Sequence, residues 1–308
     1  MKRRKEVGRL DIENPKCKWH KTVYLKDGKL MKTIHDGTFS PFEPEHTPPS
    51  PPSYDPITFK AGANNSTLSM TSTLETAPTI YYSTDNGTNW QQWEYTTSNG
   101  THTFSTITLA NKDDEVLMYG DNAMMGDTTA QSTFVMSGSI AASGRASALT
   151  DNKLSKYNSL FKGCAALTVA PELPHVLSQS VAGCYRSMFE NCTGLLEFPR
   201  LPSTVLVEYC YYRMFYGCTS IESASLKAEN LPAYCYYEMF SGCESLATIT
   251  CLGKTVTETS TTNWLSGVAA SGTFTKNSEM SSWAEGASGI PQGWNVDDYE
   301  EVVVPAQQ

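Results

Sequence analysis

The chain has no long apolar segment and few of the side chains on which catalytic and metal sites depend. No run approaches the roughly 18 apolar residues of a membrane-spanning helix, so the sequence predicts no contact with a membrane. Only five of the 308 residues are histidine, and no Ser/His/Asp set, nucleophile elbow or phosphate-binding loop is visible. These absences predict a protein that is not an enzyme and that needs neither a cofactor nor a metal ion.

Charged residues are also scarce, at 18% of the chain, and they are unevenly distributed. Residues 1–37 hold eleven Lys/Arg and five Asp/Glu, a net charge of +6, while the remaining residues carry a net charge of −15. This separation predicts different partners for the two parts of the chain. The acidic charge of the larger part argues against nucleic-acid binding there.

The C-terminal half repeats the phrase Cys-Tyr-x-x-Met-Phe-x-x-Cys-x-x-Leu/Ile. One truncated and three complete copies occupy residues 161–167, 184–195, 210–221 and 235–246. The phenylalanines of successive copies are 28, 26 and 25 residues apart, and a period of this size predicts a solenoid. Apolar residues recur at i, i+4 and i+8 within a copy, which predicts a short helix. The partly alternating segment after each copy predicts a short strand.

Eight of the nine cysteines lie in the region of these repeats. Their internal spacing of eight residues does not match the paired spacing of zinc ligands. The pattern favours small buried residues that stack from one turn of the solenoid to the next. Disulfides between turns are the alternative, and they require an oxidising compartment.

Tyrosines occupy equivalent positions between the buried residues of successive copies, as at Tyr212 and Tyr237. Stacked tyrosines on an outer face would offer flat surfaces to a sugar or to another protein. We therefore assign ligand binding to Tyr212, Tyr216, Tyr237 and Arg213. The alternative is that the tyrosines cover the edges of the core and stabilise the stack.

Two segments resemble BspA-type leucine-rich repeats: residues 167–174, Leu-Thr-Val-Ala-Pro-Glu-Leu-Pro, and residues 208–220, which contain one copy of the phrase. Residues 263–294 are similar to the closing part of the same family. Such repeats occur in gut Bacteroidales and in the crAss-like phages that infect them. The resemblance covers residues 57–296, and it implies an LRR-like α/β solenoid and a role in surface attachment rather than a chemistry.

The sequence thus predicts a multidomain, mainly β protein, with a small β-sandwich before the solenoid and an N-terminal anchoring segment. The predicted divisions are an anchor at 1–38, a Pro-rich linker at 39–56, a β-sandwich at 57–145, a solenoid at 146–260, a C-terminal cap at 261–296 and an acidic tail at 297–308. Asp27-Gly28 predicts a hairpin in the anchor. Residues 83–90 match the Asp-box pattern S-x-D-x-G-x-x-W, which predicts a structural turn in which Asp85 binds backbone amides.

We expect the basic N-terminal residues to attach the protein to a virion. The side chains assigned to this contact are Lys2, Arg3, Arg4, Lys5, Arg9, Lys16, Lys18 and Trp19. The alternative is a solvated basic tail. No apolar segment follows the first basic residues, which predicts that there is no secretory signal and favours a virion over a cell surface.

The expected function is that of a structural bacteriophage protein in a head fibre, a capsid decoration or a tail, which presents its solenoid for adhesion to a host surface. The expected partners are other virion proteins at residues 1–38 and a host-surface glycan or protein at the solenoid. The protein is also expected to be a homo-oligomer. The alternative is a cellular BspA-type adhesin on a bacterial surface.

Overall fold

The computed structural model describes residues 8–14, 19–26, 29–33, 39–41, 55–151, 156–174, 182–201, 203–257, 259–280 and 283–300. The chain forms two compact units, Met1–Pro49 and Ser50–Gln308. Within the described ranges the one helix is a single 3₁₀ turn, Ala146–Leu149. The fold is therefore mainly β, as the sequence predicts.

The first unit contains an antiparallel sheet of four strands in sequence order. They are β1 (Gly8–Asn14), β2 (Trp19–Lys26), β3 (Lys29–Thr33) and β4 (Phe39–Pro41). Strands β2 and β3 pair where the sequence predicts a hairpin, with Tyr24 opposite Met31. Strand β4 uses residues that the sequence assigns to the start of the linker, and residues 42–54 of that linker lie outside the described residues.

The second unit begins with two sheets. Their strands are β5 (Ile57–Ala61), β6 (Ser66–Ser72), β7 (Ile80–Ser83), β8 (Gln91–Gln92), β9 (Tyr95–Ser98), β10 (Thr101–Phe104), β11 (Ile107–Leu109), β12 (Glu115–Gly120), β13 (Ser132–Ser137), β14 (Ile140–Ser143) and β15 (Leu167–Val169). One sheet has the order β11-β6-β10-β9, with β13 also paired to β6, and the other has the order β15-β14-β5-β12-β7-β8.

The two sheets pack against each other through aromatic side chains. Every second residue of β6 is buried, as expected for a strand with one face on a core. The rings of Phe59 on β5 and Phe134 on β13 lie 5.0 Å apart between centroids. Trp93, which is 1% exposed, packs between Phe134 and Phe104.

The rest of the second unit is a β-solenoid of about six turns. One side is a parallel sheet of β16 (Ser223–Leu226), β18 (Thr248–Cys251), β20 (Thr273–Lys276) and β21 (Asn295–Asp298), and the short strands β17 (Asn230–Leu231) and β19 (Thr255–Val256) form a second parallel pair. Each strand pairs with the equivalent strand one turn later, as Ile249 of β18 pairs with Phe274 of β20.

The prediction of a helix within each repeat is wrong. The described turns of the solenoid therefore lack the α/β character that the resemblance to leucine-rich repeats implies. Residues 209–217 form a chain of hydrogen-bonded turns instead. Along this segment, every second N–H group donates to a carbonyl oxygen of the same solenoid turn, and the N–H groups between them donate to the following solenoid turn. The N–H of Tyr212 donates to the carbonyl oxygen of Tyr209 (3.2 Å), whereas the N–H of Tyr211 donates to that of Cys235 (3.0 Å) in the following turn.

The apolar period of four residues, which resembles a helical stripe, has a different origin in this backbone. Every fourth residue has a left-handed conformation, with φ of +57° at Tyr209, +52° at Arg213 and +70° at Gly217. Because the conformation repeats every four residues, side chains four positions apart return to the same face. The i, i+4, i+8 spacing therefore predicts the wrong backbone conformation, although it correctly identifies the buried residues.

Buried aromatic residues form two columns along the solenoid axis. The rings of Phe161, Phe189, Phe215 and Phe240 stack with centroid separations of 5.5, 5.5 and 5.7 Å. Tyr157, Tyr185, Tyr211, Tyr236 and Trp264 form the second column. No single turn could cover these rings, so the turns stabilise one another only as a stack.

The eight cysteines of the repeat region are free and buried, so the alternative of disulfides between turns is not what the structure shows. They are more than small apolar residues. The Sγ atoms of Cys192, Cys218 and Cys243 donate to the carbonyl oxygens of Phe161, Phe189 and Phe215, one turn earlier, at 3.0, 3.0 and 3.1 Å. Burial raises the pKa of Cys243 to about 12, which keeps the thiol protonated as a donor.

The core of the two sheets continues into the solenoid without a break. Phe134 stacks on Phe161 at 5.2 Å, at the head of the phenylalanine column, and β15 extends one sheet by pairing parallel to β14. At the other end Trp283 stacks on Trp264 at 5.6 Å. Both ends of the stack are thus closed by other parts of the chain, which a solenoid requires.

Candidate functional site

Four tyrosines form a surface patch on two successive turns, and we call them the tyrosine patch: Tyr209, Tyr212, Tyr234 and Tyr237. Tyr212 and Tyr237 stack with centroids 4.7 Å apart and ring planes 1° from parallel. Tyr209 and Tyr234 stack at 4.7 Å and 10°. All four are half-buried. The spacing equals the distance between neighbouring strands of a sheet, because each ring belongs to a successive turn.

The two columns of the patch are inclined to each other. Tyr209 and Tyr212 have centroids 6.0 Å apart and planes at 42°, and Tyr234 and Tyr237 have centroids 6.1 Å apart and planes at 52°. The patch is therefore a shallow aromatic trough that runs along the solenoid axis. Within each column one ring covers the face of the next, so ring edges and hydroxyl groups, rather than flat faces, form most of its outer surface.

The turn backbone places these side chains at a conformational cost. Tyr209 and Tyr234 each have φ of +57°, a left-handed conformation that costs a residue with a β-carbon about 1–2 kcal/mol. One turn earlier the equivalent residue is Gly183, whose N–H donates to the carbonyl oxygen of Glu208 as that of Tyr209 does to Ala233. Two adjacent turns thus carry a strained tyrosine where glycine fits without strain.

An arginine closes one end of the patch. The guanidinium carbon of Arg186 lies 4.3 Å from the centroid of Tyr212, a cation–π contact. Arg186 is the residue equivalent to Tyr212 and Tyr237, one turn earlier. Among the residues that the structure describes, Arg186 forms no ion pair with a carboxylate, so its N–H groups are available at the surface.

The hydroxyl group of Tyr237 is held in its neutral form by its surroundings. The carboxylate of Glu238 raises the pKa of Tyr237, with smaller contributions from burial and from Tyr212. A neutral phenol both donates and accepts a hydrogen bond. The patch therefore combines apolar ring edges with hydroxyl groups suited to polar ligands.

The structure separates the four residues assigned to ligand binding into two groups. Tyr212 and Tyr237 lie together in the tyrosine patch, whereas Arg213 packs over the ring of Tyr216, 4.0 Å from its centroid. Arg213 also bridges two carboxylates, with distances of 3.4 Å to Glu190 and 3.0 Å to Glu238. Its charge is thus paired within the solenoid, and its assignment to ligand binding stays a prediction.

Glu190 is the centre of this charged group. Its side chain is 7% exposed and contacts Lys162 at 3.1 Å as well as Arg213. A buried carboxylate requires such partners because an unpaired buried charge is strongly destabilising. The group, which includes Glu238, spans four turns and so adds to the cohesion of the stack.

Two residues of the patch, Tyr209 and Tyr234, were missed by the sequence reasoning. The signal was present, because both directly precede the tripeptide Cys-Tyr-Tyr, which occurs in both of their copies, and lie three residues before Tyr212 and Tyr237. A helical interpretation placed them outside the repeated unit. The four-residue turn backbone places them beside it.

The residues assigned to virion attachment are only partly within the described structure. Arg9 lies on β1 opposite Tyr24, and Trp19 lies on β2 opposite Asn14. The other assigned side chains, at Lys2, Arg3, Arg4, Lys5, Lys16 and Lys18, lie outside the described residues. The attachment therefore stays a prediction.

The Asp-box segment forms a closed turn between β7 and β8. Asp85 accepts hydrogen bonds from the N–H of Asn89 (2.9 Å) and from the hydroxyl of Ser83 (2.7 Å). These bonds lower the pKa of Asp85 to about 2, and the bond from the N–H of Asn89 makes the largest contribution. Trp90 packs edge-on against Tyr119 at 4.7 Å. Both carboxylate oxygens of Asp85 accept hydrogen bonds from residues of the turn itself, which indicates a structural role.

A second surface feature is a cleft of about 640 Å³ where the sheets meet the first turns of the solenoid. Arg145 and Glu172 form an ion pair of 3.6 Å in its wall, and Glu197 and Arg200 lie opposite. Across the described ranges, no three His, Cys, Asp or Glu side chains are grouped to hold a metal ion. No helix in the same ranges is long and apolar enough to cross a bilayer.

Comparison with known proteins adds no assignment. No family model, no curated protein and no solved structure matches this chain.

Proposed function

We propose that this protein is a non-enzymatic adhesion protein whose solenoid binds a host surface through the tyrosine patch. The observation that carries the proposal is the pairing of four half-buried tyrosines with Arg186 on one face of adjacent turns. Tyrosine and arginine are enriched at protein recognition surfaces, because they give large contact areas and hydrogen bonds with little loss of side-chain entropy.

We further propose that the protein is a structural component of a bacteriophage virion, in a head fibre, a capsid decoration or a tail. The first unit, Met1–Pro49, is compact in itself, and residues 1–37 carry a net charge of +6. These features suit an attachment module that is separate from the binding module. A resemblance to BspA-type repeats of gut Bacteroidales and their phages supports the same assignment.

Many copies on one particle would strengthen weak individual contacts. Linked binding sites increase the overall affinity by a factor of about 10²–10⁴ without any new contact. A modest interaction at a small aromatic patch is therefore sufficient for adhesion when the protein is a homo-oligomer or is repeated on a virion. A cellular adhesin of the BspA type, displayed on a bacterial surface, is the second candidate and would use the same patch.

A glycan array tests the binding role. The double variant Tyr212→Ala/Tyr237→Ala is compared with the wild type and with Tyr95→Ala, a surface tyrosine on β9 that is 41% exposed and outside the patch. We expect the double variant to lose array binding and Tyr95→Ala to retain it. If the double variant binds as the wild type does, the tyrosines have only a packing role and the proposal fails.

Virion attachment has its own test. Replacing Lys2, Arg3, Arg4 and Lys5 together by Gln removes four positive charges from the N-terminal anchor, residues 1–38. We expect the variant to be lost from purified phage particles while its solenoid still binds in the glycan array. Equal incorporation of the variant and the wild type would contradict the assignment of these side chains to the particle contact.

A further inference from the structure

The two columns of the tyrosine patch begin differently at the end nearer the N-terminus. One column begins with Arg186, which covers the face of Tyr212. The other begins with Gly183, which has no side chain to stack on the corresponding face of Tyr209. A β-carbon at Gly183 would meet ordinary contacts, 3.7 Å from Cβ of Arg186 and 3.9 Å from Cβ of Tyr209. Among the described residues, the ring partners of Tyr209 are Tyr212 and Tyr234, and no ring stacks on the face towards Gly183.

We propose that a carboxylated sugar ring, such as a hexuronic acid unit, stacks on this face of Tyr209 and binds Arg186 through its carboxylate. This inference rests on the proposed binding role of the tyrosine patch and names its ligand class. The sugar ring takes the place in the column that a tyrosine occupies one turn later, and the backbone of Gly183 is buried, so the ligand rests on Tyr209 and Arg186.

Arg186 selects the acidic sugar. Its guanidinium has no carboxylate partner among the described residues, in contrast to Arg213, which contacts Glu190 and Glu238. A planar guanidinium binds a carboxylate through two parallel hydrogen bonds, a geometry that an uncharged hydroxyl cannot match. The contact with Tyr212 holds the side chain beside the Gly183 position, which reduces the entropy lost on binding.

The far end of the same column offers no equivalent site. The N–H of Tyr236 donates to the carbonyl oxygen of Ser260, which places Thr259 one turn beyond Tyr234. Thr259 is half-buried, and its hydroxyl lies 3.4 Å from that of Thr257. Neither threonine supplies a cation, and Thr259 does not have the left-handed φ of Tyr234. A tyrosine introduced at Thr259 is therefore a control for an added ring one turn beyond the patch.

The test extends the column with the protein's own side chain. Gly183→Tyr places a ring where the sugar would bind, and the fold accepts it because Tyr209 and Tyr234 hold the same left-handed conformation at equivalent positions. Arg186→Gln removes the charge but keeps a side chain of similar shape. Thr259→Tyr extends the column at the other end. Binding is measured by calorimetry with oligogalacturonate and with its methyl ester, which retains the rings and lacks the carboxylates.

We expect the wild type to bind oligogalacturonate at least about tenfold more tightly than the methyl ester, a difference of about 1.4 kcal/mol. Gly183→Tyr should weaken oligogalacturonate binding about tenfold or more, Arg186→Gln should abolish the preference for the free acid, and Thr259→Tyr should bind as the wild type does. The inference is overturned if the wild type binds neither probe, if it binds both equally, or if Gly183→Tyr binds normally.

The two proposals fail in different ways. If Tyr212→Ala/Tyr237→Ala loses array binding while Gly183→Tyr and Arg186→Gln retain it, the tyrosine patch is a binding surface without an acidic-sugar site at Gly183. If the double variant also binds normally, the proposed function itself is wrong.

Discussion

At the scale of single residues, the cysteines are hydrogen-bond donors as well as core residues. The sulfur of Cys218 lies 3.0 Å from the carbonyl oxygen of Phe189, and the same contact recurs at Cys192 and Cys243. Each of these carbonyl groups also accepts a backbone N–H of its own turn, as the carbonyl of Phe189 does from Cys192 at 3.1 Å. The repeated cysteine of the next turn therefore adds a second donor to each carbonyl oxygen.

Two substitutions at Cys218 separate hydrogen bonding from apolar packing. Cys218→Ala removes the thiol donor of the Phe189 carbonyl, which still accepts the N–H of Cys192, and should lower the free energy of unfolding by about 0.5–1.5 kcal/mol. Cys218→Ser keeps a donor and should be less destabilising than the alanine variant. Urea unfolding followed by circular dichroism measures both. A serine variant that is the less stable of the two would show that the thiol acts only as an apolar group.

The buried thiols also make the stability depend on pH. Burial raises the pKa of Cys164, Cys243 and Cys251 from 9.0 to about 12, so the folded state favours the neutral thiol. The stabilisation is fully present below the unfolded value and is lost as the pH rises from 9 towards 12. We expect urea unfolding under reducing conditions to show a free energy that falls above pH 9, more gently in Cys251→Ala. A flat profile between pH 9 and 11 would contradict this account.

At the scale of the structural element, the repeated unit is a four-residue turn rather than a helix. Left-handed residues recur at 209, 213 and 217 and again at 234, 238 and 242. Each tolerates a side chain only with strain, and the last left-handed residue is glycine in four of the five described runs, at Gly163, Gly217, Gly242 and Gly267. In the fifth run it is Asn191, a residue type that adopts this conformation more readily than most. Backbone hydrogen bonds join each solenoid turn to the next at every second residue, as they join neighbouring strands in a parallel sheet.

Adding a methyl group at the last left-handed position tests this element. Gly242 has φ of +78°, and a β-carbon there would be 3.6 Å from Gly217, which is an ordinary contact. Gly242→Ala should therefore destabilise by backbone strain alone, by about 1–2 kcal/mol. The neighbouring Ser241→Ala, where φ is not left-handed, should change the stability by less than about 0.5 kcal/mol. Thermal unfolding of both variants compares them, and equal stabilities would argue against the turn conformation.

The sequence allowed prediction of the solenoid, of its buried columns and of the strands after three of the copies, but not of the element between them. The strand predicted after the second copy is wrong, because residues 195–201 contain no strand. The spacing i, i+4, i+8 fits both a helix and a four-residue turn, so periodicity alone could not decide between them. Glycine or asparagine near the end of each copy and the tyrosines at 209 and 234 carried the missing information.

At the scale of the whole molecule, the two sheets and the solenoid of the second unit share one core. Phe134 belongs to β13, yet it is the first ring of the phenylalanine column, and the thiol of Cys164 donates to its carbonyl oxygen at 3.0 Å. The sheets therefore cover the end of the stack that would otherwise expose Phe161. This contact makes the folding of the two parts interdependent.

Truncating the ring at this junction should affect both parts. Phe161 is fully buried, and Phe161→Ala should lower the stability by about 3–5 kcal/mol. Hydrogen exchange should show faster opening in β5 and β13 as well as in residues 184–218. Loss of protection confined to the solenoid would show that the sheets fold independently of it.

The central claim is that the tyrosine patch makes this solenoid a surface-binding device. The most direct measurement is the binding of fluorescently labelled protein to intact Bacteroidales cells by flow cytometry, for the wild type, Tyr212→Ala/Tyr237→Ala and Tyr95→Ala. The account predicts cell binding by the wild type and Tyr95→Ala, and a loss of about tenfold or more in the double variant, as expected when central aromatic contacts are removed. Undiminished binding of a correctly folded double variant would contradict it.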